Sequence, residues 1–426
     1  MAFERKELAN GIFFSAVDET KFKAGLVSVR FILPLREETV SENALIFPVL
    51  LRGSEKFPDI GSIRREEESI YDTVMEDSVY KRGDMQILEI RTRVLDNRYA
   101  IDGMNIAARA MALLGDILLH PVTENGVFRE DYVESEKQKL IDDIAAQIND
   151  KRRYAMARLL EEMFEGDSFG VSELGTEESA ECVTPETLWN AYRSMLTHAR
   201  IEIFAVGNFD FCALEAAFRA LFGGVARDYR GIPETVLMKG ARENVKTVYE
   251  RQNITQGKLS LGFYTGSSVT DPDHHVMQML NVIFGAGVTS KLFLNVREKL
   301  SLCYYCSSSE NSQKGYMTVN SGIEFKNEKK AADEILHQLD EIKRGNVTEN
   351  ELRDARLALL DAVGRVDDSV VNLMNWYFSG VMNGKLVTPE EKRSQILSVT
   401  AEDIVKKAQA IRLDTYYFLC AKEENV

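Results

Sequence analysis

The sequence is poor in the features that several classes of protein require. It has five cysteines in 426 residues, an odd number scattered along the chain, which disfavours a disulfide framework and favours a reducing compartment. No run of about 18 apolar residues occurs, so we expect no membrane-spanning helix. The net charge of −15 disfavours a nucleic-acid partner, which needs a basic surface. The first residues lack the apolar core of a signal peptide, and we therefore expect a cytoplasmic protein.

Histidine is also scarce, and its placement disfavours a metal site. The five histidines are His120, His198, His274, His275 and His337. A helical pair of metal ligands needs a spacing of about four residues, so that both rings leave the same face, and no pair here has it. The adjacent His274 and His275 would diverge by about 100° on a helix. The sequence therefore predicts no metal or other cofactor held by this chain.

The residues that are present indicate that the chain consists of two similar halves. The chain is 45% hydrophobic, enough for a sizeable core in two or three domains. The segments Val183 to Leu188 and Val399 to Ile404 lie about half a chain apart and match in type, each with a threonine N-cap and acidic residues in the first turn. An apolar strand follows each of them. This correspondence indicates an internal duplication.

Alternating strands support the same organisation. Lys23 to Leu33 and Lys258 to Tyr264 each place apolar residues at every second position, and amphipathic helical patterns follow both. We predict an α+β fold of two similar domains, each a mixed, mainly antiparallel sheet with helices packed on it. The aperiodic stretch between them, rich in glycine and charge, predicts domains over 1–228 and 245–426 and a linker over 229–244.

A single Cys-x-x-Cys motif, Cys303-Tyr-Tyr-Cys306, falls in a predicted strand. Zinc ribbons need two such motifs, and redox motifs of this type open a helix. Residues three apart in a regular strand face opposite sides of the sheet. We therefore interpret the two cysteines as small apolar residues of the strand.

One segment resembles a known family. Phe284-Gly-Ala-Gly287 joins two predicted helices, and Arg297 precedes Tyr304 by seven residues. With Leu174 to Ser179, Val206 to Asp210 and Asp271 to Gly285, this pattern resembles the pitrilysin/insulinase family of zinc peptidases, most closely its short, processing-peptidase-like branch. The resemblance covers nearly the whole chain. It implies two similar α+β domains, and a pair of chains of this length that enclose a peptide-binding chamber.

The zinc motif of that family, His-x-x-Glu-His, is missing. Aligned on this sequence, the two histidine ligands become Ala44 and Pro48, and the general-base glutamate becomes Phe47. The later glutamate ligand falls near Asp142 and Asp143. None of the first three side chains can bind Zn²⁺ or take a proton from water. The resemblance thus implies a degenerate zinc site without catalytic residues.

The resemblance also implies a role for Arg297 and Tyr304. An arginine and a tyrosine in these places reach the family's active site, where they can donate hydrogen bonds to a substrate carbonyl or to the oxyanion. The alternative is that Arg297 pairs with Glu298 at the surface and that Tyr304 is a core residue.

Three functions remain open at this point. The first is a non-catalytic subunit of a heterodimeric zinc peptidase, whose partner of similar length supplies His-x-x-Glu-His, the zinc and the general base. The second is a peptide-binding or scaffolding pseudoenzyme, in which a second copy of this chain is the partner. An autonomous zinc peptidase is the third, and the scarcity of histidine disfavours it.

Overall fold

Thirteen strands and fourteen helices build residues 3–422, the part of the chain that the computed structural model describes. The strands are β1 (Phe3–Ala9), β2 (Ile12–Asp18), β3 (Ala24–Pro34), β4 (Met75–Arg82), β5 (Met85–Leu95), β6 (Thr123–Glu124), β7 (Val127–Phe128), β8 (Arg200–Gly207), β9 (Lys246–Gln252), β10 (Gly257–Tyr264), β11 (Cys303–Asn311), β12 (Tyr316–Ile323) and β13 (Arg412–Ala421). The helices are α1 (Val40–Leu50), α2 (Ile60–Ser69), α3 (Ile106–Leu119), α4 (Glu130–Ala146), α5 (Lys151–Met163), α6 (Glu177–Glu181), α7 (Pro185–His198), α8 (Phe211–Phe222), α9 (His274–Asn281), α10 (Glu328–Lys343), α11 (Glu349–Gly364), α12 (Val370–Met382), α13 (Pro389–Ser398) and α14 (Ala401–Ala408). Two π-helical segments, Val282–Ala286 and Leu292–Lys299, lie between α9 and β11.

The first of two structural units is built on a six-stranded sheet in the order β1-β2-β8-β3-β5-β4. All neighbouring strands are antiparallel except β2 and β8. The central strand β3 is buried along nearly its whole length, including its polar residues Ser28 and Arg30. Helices α1, α3 and α7 contribute apolar residues to the same core. The strand β4 is left at one edge of this sheet.

The second unit repeats that topology. Its sheet has the order β11-β12-β10-β13-β9, and only the pair of β13 and β9 is parallel. In the first unit, the strands β4-β5-β3-β8-β2 have the same order and the same relative directions. The predicted α+β fold with an internal duplication is therefore confirmed, and β11 is the counterpart of the edge strand β4.

Each unit contains a segment from the other half of the chain. Within the described residues, the first unit comprises 3–146, 171–234 and 369–378, and the second comprises 147–170, 235–368 and 379–422. In the second unit, α5 packs on β10 and β13 through Ala155 and Leu159. In the first, Phe378 meets the ring of Phe204 edge-on, with centroids 5.8 Å apart. The predicted domains over 1–228 and 245–426 and the predicted linker over 229–244 follow the order of the chain and do not include this exchange of segments between the two units. These boundaries stay a prediction.

Local hydrogen bonds fix the starts of several helices. Thr184, Thr348 and Thr400 each close a capping box, in which the threonine side chain accepts from the backbone N–H three residues later. Each box satisfies backbone donors that a helix start otherwise leaves unpaired. No helix within residues 3–422 is long and apolar enough to cross a membrane.

Candidate functional site

The predicted zinc positions lie beside a cavity of about 390 Å³ in the first unit, which we call the N-terminal cavity. It is walled by α1, α2, β4 and α4. Ala44 and Pro48 of α1 both line it, since residues four apart share one face of a helix. Asp143 lines it from α4. The structure thus brings three of the five predicted positions to one cavity.

The other two predicted positions point elsewhere. Phe47 is fully buried and packs edge-on against Phe31, with ring centroids 5.6 Å apart. Asp142 is exposed and accepts a hydrogen bond of 2.9 Å from the side-chain amide of Gln138. Helix geometry explains the directions of both side chains, because each is the sequence neighbour of a residue that lines the cavity, and successive side chains on a helix differ in direction by about 100°.

Pro48 also changes the wall itself. It lies inside α1 and has no N–H, so it cannot donate the helical hydrogen bond to the carbonyl of Ala44. Together Ala44, Leu45 and Pro48 give the cavity an apolar floor where a zinc site would need imidazoles.

The acidic residues around the cavity are largely held by cations. Glu136 is buried, and its Oε1 lies 3.2 Å from Arg52 and 2.7 Å from Lys139. Glu67 is buried beside Arg64 at 2.7 Å and accepts a 2.8 Å hydrogen bond from the backbone N–H of Met75. Both carboxylates are paired with cations within the protein.

Asp77 differs from its neighbours because it projects from the edge strand β4 into the cavity. Partial burial within the cavity raises the pKa of this carboxyl, and the negative charge of Glu136 adds to the effect. An approaching cation would favour the ionised form of this carboxyl.

Within residues 3–422, no group of three or more histidine, cysteine, aspartate and glutamate side chains is arranged to hold a metal ion. Two free carboxylates, Asp77 and Asp143, are fewer than the four ligands of a structural zinc site or the three of a catalytic one. The residues present at the N-terminal cavity therefore do not fit a zinc ion.

Arg297 and Tyr304 meet in a second cavity of about 430 Å³, in the second unit, which we call the C-terminal cleft. Arg297 comes from the π-helical segment Leu292–Lys299, and Tyr304 from β11. Ser301, between them, has a φ of +50°, an uncommon conformation for a residue other than glycine. This turn brings the helix end and the strand start to the same cleft.

The surroundings of the two side chains bear differently on the alternatives. Arg297 Nε forms an exposed ion pair with Glu298 at 3.6 Å, without a hydrogen bond, as the alternative expects, and the guanidinium lies 4.6 Å from the ring centroid of Phe293. Tyr304 is 65% exposed and is no core residue. Both side chains are open to a molecule that enters the cleft.

The exposure of Tyr304 results from a β-bulge. In the pairing of β11 with β12, Cys303 lies opposite Ile323 and Tyr305 opposite Gly322, so Tyr304 is an extra residue without a partner. The bulge also corrects the interpretation of the cysteines. Cys306 lies opposite Ser321, two positions from Ile323, and both cysteines therefore share one face of the sheet rather than opposite faces.

Sequence reasoning missed several residues of these sites. Glu136 had a usable signal, because it precedes Asp143 by two helical turns and so lies on the same face of α4. No sequence signal pointed to Asp77 or Arg52, because their approach to α4 depends on tertiary packing.

Comparisons with known proteins agree with this description. The family described as "Peptidase M16 inactive domain" matches residues 183–359. The chain is 30% identical to the "Probable inactive metalloprotease YmfF" of Bacillus subtilis, over 99% of this chain and 98% of that protein.

Two solved structures share the fold over essentially the whole of both chains. A conserved protein from Enterococcus faecalis is 25% identical, with a TM-score of 0.93 and complete coverage of both chains. A peptidase M16 inactive domain from Pseudomonas fluorescens is 17% identical, with a TM-score of 0.80 and 99% coverage of both. The chain belongs to the pitrilysin/insulinase (M16) peptidase family, as a homologue of its inactive metalloproteases.

Proposed function

We propose that this chain is the non-catalytic subunit of a heterodimeric zinc-dependent peptidase. The observation that carries the proposal is the contrast between its two cavities. Ala44 and Pro48 close the N-terminal cavity to zinc, whereas Arg297 and Tyr304 stand open in the C-terminal cleft. The partner would be a chain of similar length that bears His-x-x-Glu-His and brings the zinc.

The chemistry of the C-terminal cleft suits peptide hydrolysis by such a partner. Negative charge builds on the scissile carbonyl oxygen at the tetrahedral stage. The Arg297 guanidinium and the Tyr304 hydroxyl are hydrogen-bond donors that can stabilise that charge or hold neighbouring carbonyls of the peptide. Stacking on Phe293 restricts the arginine, so that less conformational entropy is lost when it binds.

The first unit offers a surface for an extended peptide. Because β4 is an edge strand, one row of its backbone groups can pair with an added strand. Asp77 and Val79 project from β4 into the N-terminal cavity, beside Asp143. Of the four acids that line this cavity, Glu67 and Glu136 are paired with cations, whereas Asp77 and Asp143 form no ion pair within residues 3–422. A long basic side chain would pack on the apolar floor and be stabilised by these two carboxylates. The peptide substrates would accordingly carry lysine or arginine.

Kinetics of the assembled pair test the proposal. Arg297→Ala, in a complex with the His-x-x-Glu-His-bearing relative from the same genome, should lower kcat by about 10²–10³, with a smaller effect on KM. The matched control is Lys299→Ala, which removes an exposed cation from the same π-helical segment. Equal kinetics for Arg297→Ala and the unaltered complex would remove the assigned role.

A second function is favoured by the same edge strand. A peptide-binding pseudoenzyme, with a second copy as its partner, needs only β4 and the N-terminal cavity. Homodimers that bind a lysine-containing peptide, and that form no complex with the zinc-bearing relative, would favour this function. Asp77→Asn should then weaken peptide binding, whereas the exposed Glu76→Gln on the opposite face of β4 should not.

A further inference from the structure

The bulge at Tyr304 creates a pair of thiols that the regular strand would separate. Cys303 and Cys306 lie on the same face of β11, on either side of the bulged Tyr304. They are successive positions on that face, because their partners on β12, Ile323 and Ser321, lie two residues apart. Ser321 lies opposite Cys306, and its hydroxyl donates a hydrogen bond of 2.9 Å to the carbonyl of Tyr305, between the two cysteines. Both cysteines are free thiols in this structure.

The two thiols differ in access and in acidity. Cys303 lines the C-terminal cleft and is only partly buried, whereas Cys306 is 4% exposed. The neighbouring Cys306 thiol lowers the pKa of the Cys303 thiol, and Ser321 and the positive charge of Arg297 act in the same direction. Interaction with Cys303, together with burial, raises the pKa of Cys306. Cys303 is therefore the more accessible and the more acidic of the two thiols, and Cys306 is protected from solvent.

We propose that Cys303 and Cys306 are a redox-active pair that forms a reversible intramolecular disulfide, with a hydroperoxide as the oxidant. Arg297, Tyr304 and Cys303 line the C-terminal cleft, and the buried Cys306 follows Cys303 on the same face of β11. The disulfide would hold the bulge and thereby fix the strand on both sides of Tyr304, so the redox state of the pair would set the shape of the cleft.

The chemistry balances in two steps. The Cys303 thiolate attacks one oxygen of the hydroperoxide, the O–O bond breaks, and Cys303 becomes a sulfenic acid. The departing alkoxide or hydroxide takes up a proton, equivalent to the one that the thiol released on ionisation, and leaves as an alcohol or water. The Cys306 sulfur then attacks the Cys303 sulfur, the S–O bond breaks, and the departing hydroxide takes the Cys306 proton to form water. Two thiols are oxidised by two electrons, and one peroxide is reduced. A dithiol reductant reverses the reaction by thiol–disulfide exchange.

Mass spectrometry of the full chain tests the pair directly. The reduced protein is treated with hydrogen peroxide, free thiols are alkylated, and the protein is digested with trypsin. Both cysteines fall in one peptide, residues 300–314, because no lysine or arginine lies between them. The disulfide form escapes alkylation at both cysteines and is about 2 Da lighter than the dithiol. Chymotryptic cleavage between the two tyrosines should then leave two fragments joined only by the disulfide.

Variants distinguish disulfide formation by this pair from nonspecific oxidation of exposed thiols. Cys306→Ser should leave a sulfenic acid at Cys303 that a dimedone-type probe traps, without a disulfide. Cys182→Ser is the matched control, because Cys182 is exposed and lies on a different element, and it should leave the disulfide yield unchanged. Circular dichroism before oxidation shows that each variant is folded. Oxidation of Cys182 at peroxide concentrations that leave Cys303 and Cys306 fully alkylated would overturn the proposal.

Discussion

The sheet of the first unit contains a buried ion pair whose removal should be costly. Arg30 on β3 and Glu89 on β5 are 1% and 3% exposed, and the guanidinium lies 3.0 Å from Glu89 Oε1. Ser28 donates a further hydrogen bond of 2.6 Å to the same oxygen. The pair also anchors the segment from the second half of the chain, because Arg30 donates to Asn375 at 3.1 Å and its guanidinium lies 3.9 Å from the ring centroid of Phe378.

We predict that Glu89→Gln destabilises the first unit by about 3 kcal/mol. Removal of one partner from a buried pair costs about 3–5 kcal/mol, since the other charge stays buried without compensation. The lower value applies because Arg30 keeps Asn375 as an acceptor and the glutamine keeps the shape of the glutamate. For a unit of this size, the loss corresponds to a fall in Tm of roughly 6–12 °C.

Thermal and urea denaturation of the full chain, followed by circular dichroism, measure the effect. The control is Glu76→Gln on the adjacent strand, which removes an exposed pair with Arg91 of similar length, 3.1 Å, and should cost less than about 1 kcal/mol. The double variant Arg30→Met with Glu89→Leu should be less destabilised than Glu89→Gln, because it leaves no buried charge. Equal losses for the two single glutamine variants would refute the reasoning.

Three further predictions concern single side chains. Thr184→Ala should cost about 1 kcal/mol in urea denaturation, because the capping box at the start of α7 is lost, and a loss below a few tenths would contradict that role. Lys392→Met should stabilise the protein at pH 7, because burial lowers the pKa of this amine to about 8 from its usual 10.5 and the folded chain therefore holds a disfavoured charge. Between pH 8 and 10.5 the unfolded chain binds the proton that the folded chain has released, so the stability of the wild type rises with pH and the advantage of the variant shrinks. A difference in Tm between the two proteins that stays constant over this pH range would contradict this. Arg297→Lys in the assembled peptidase should recover only part of the activity lost in Arg297→Ala, since an ammonium lacks the planar fork of donors, and full recovery in kcat would show that charge alone suffices.

Features with local causes could be read from the sequence. The predicted strands over 23–33 and 258–264 agree with β3 and β10 to within one residue at each end, because alternation of apolar residues is a local signal of strand conformation. Both faces of these strands are buried, which the alternation did not indicate. The caps at Thr184 and Thr400 were readable for a similar reason, since their hydrogen bonds reach only three residues along the chain.

Features that depend on distant pairing could not be read in this way. Helix α5 comes from the first half of the chain and packs on β10 and β13 from the second half. The periodicity of residues 151–163 can predict a helix, but it cannot predict which sheet that helix covers. The bulge at Tyr304 is a property of the register with β12, so a motif of two cysteines three apart gave the wrong face. Likewise, the helix pattern placed Ala44 and Pro48 on one face, whereas the acid at Asp77 arrives from another element.

The most direct test of the central claim is peptide hydrolysis, with zinc content measured on the same samples. The purified chain alone should hold no stoichiometric zinc and cleave no peptide, because Ala44, Phe47 and Pro48 supply neither ligand nor base. Mixed with its His-x-x-Glu-His-bearing relative, it should form a complex with one zinc that cleaves lysine- or arginine-containing peptides. Hydrolysis and stoichiometric zinc in the chain alone would contradict the account.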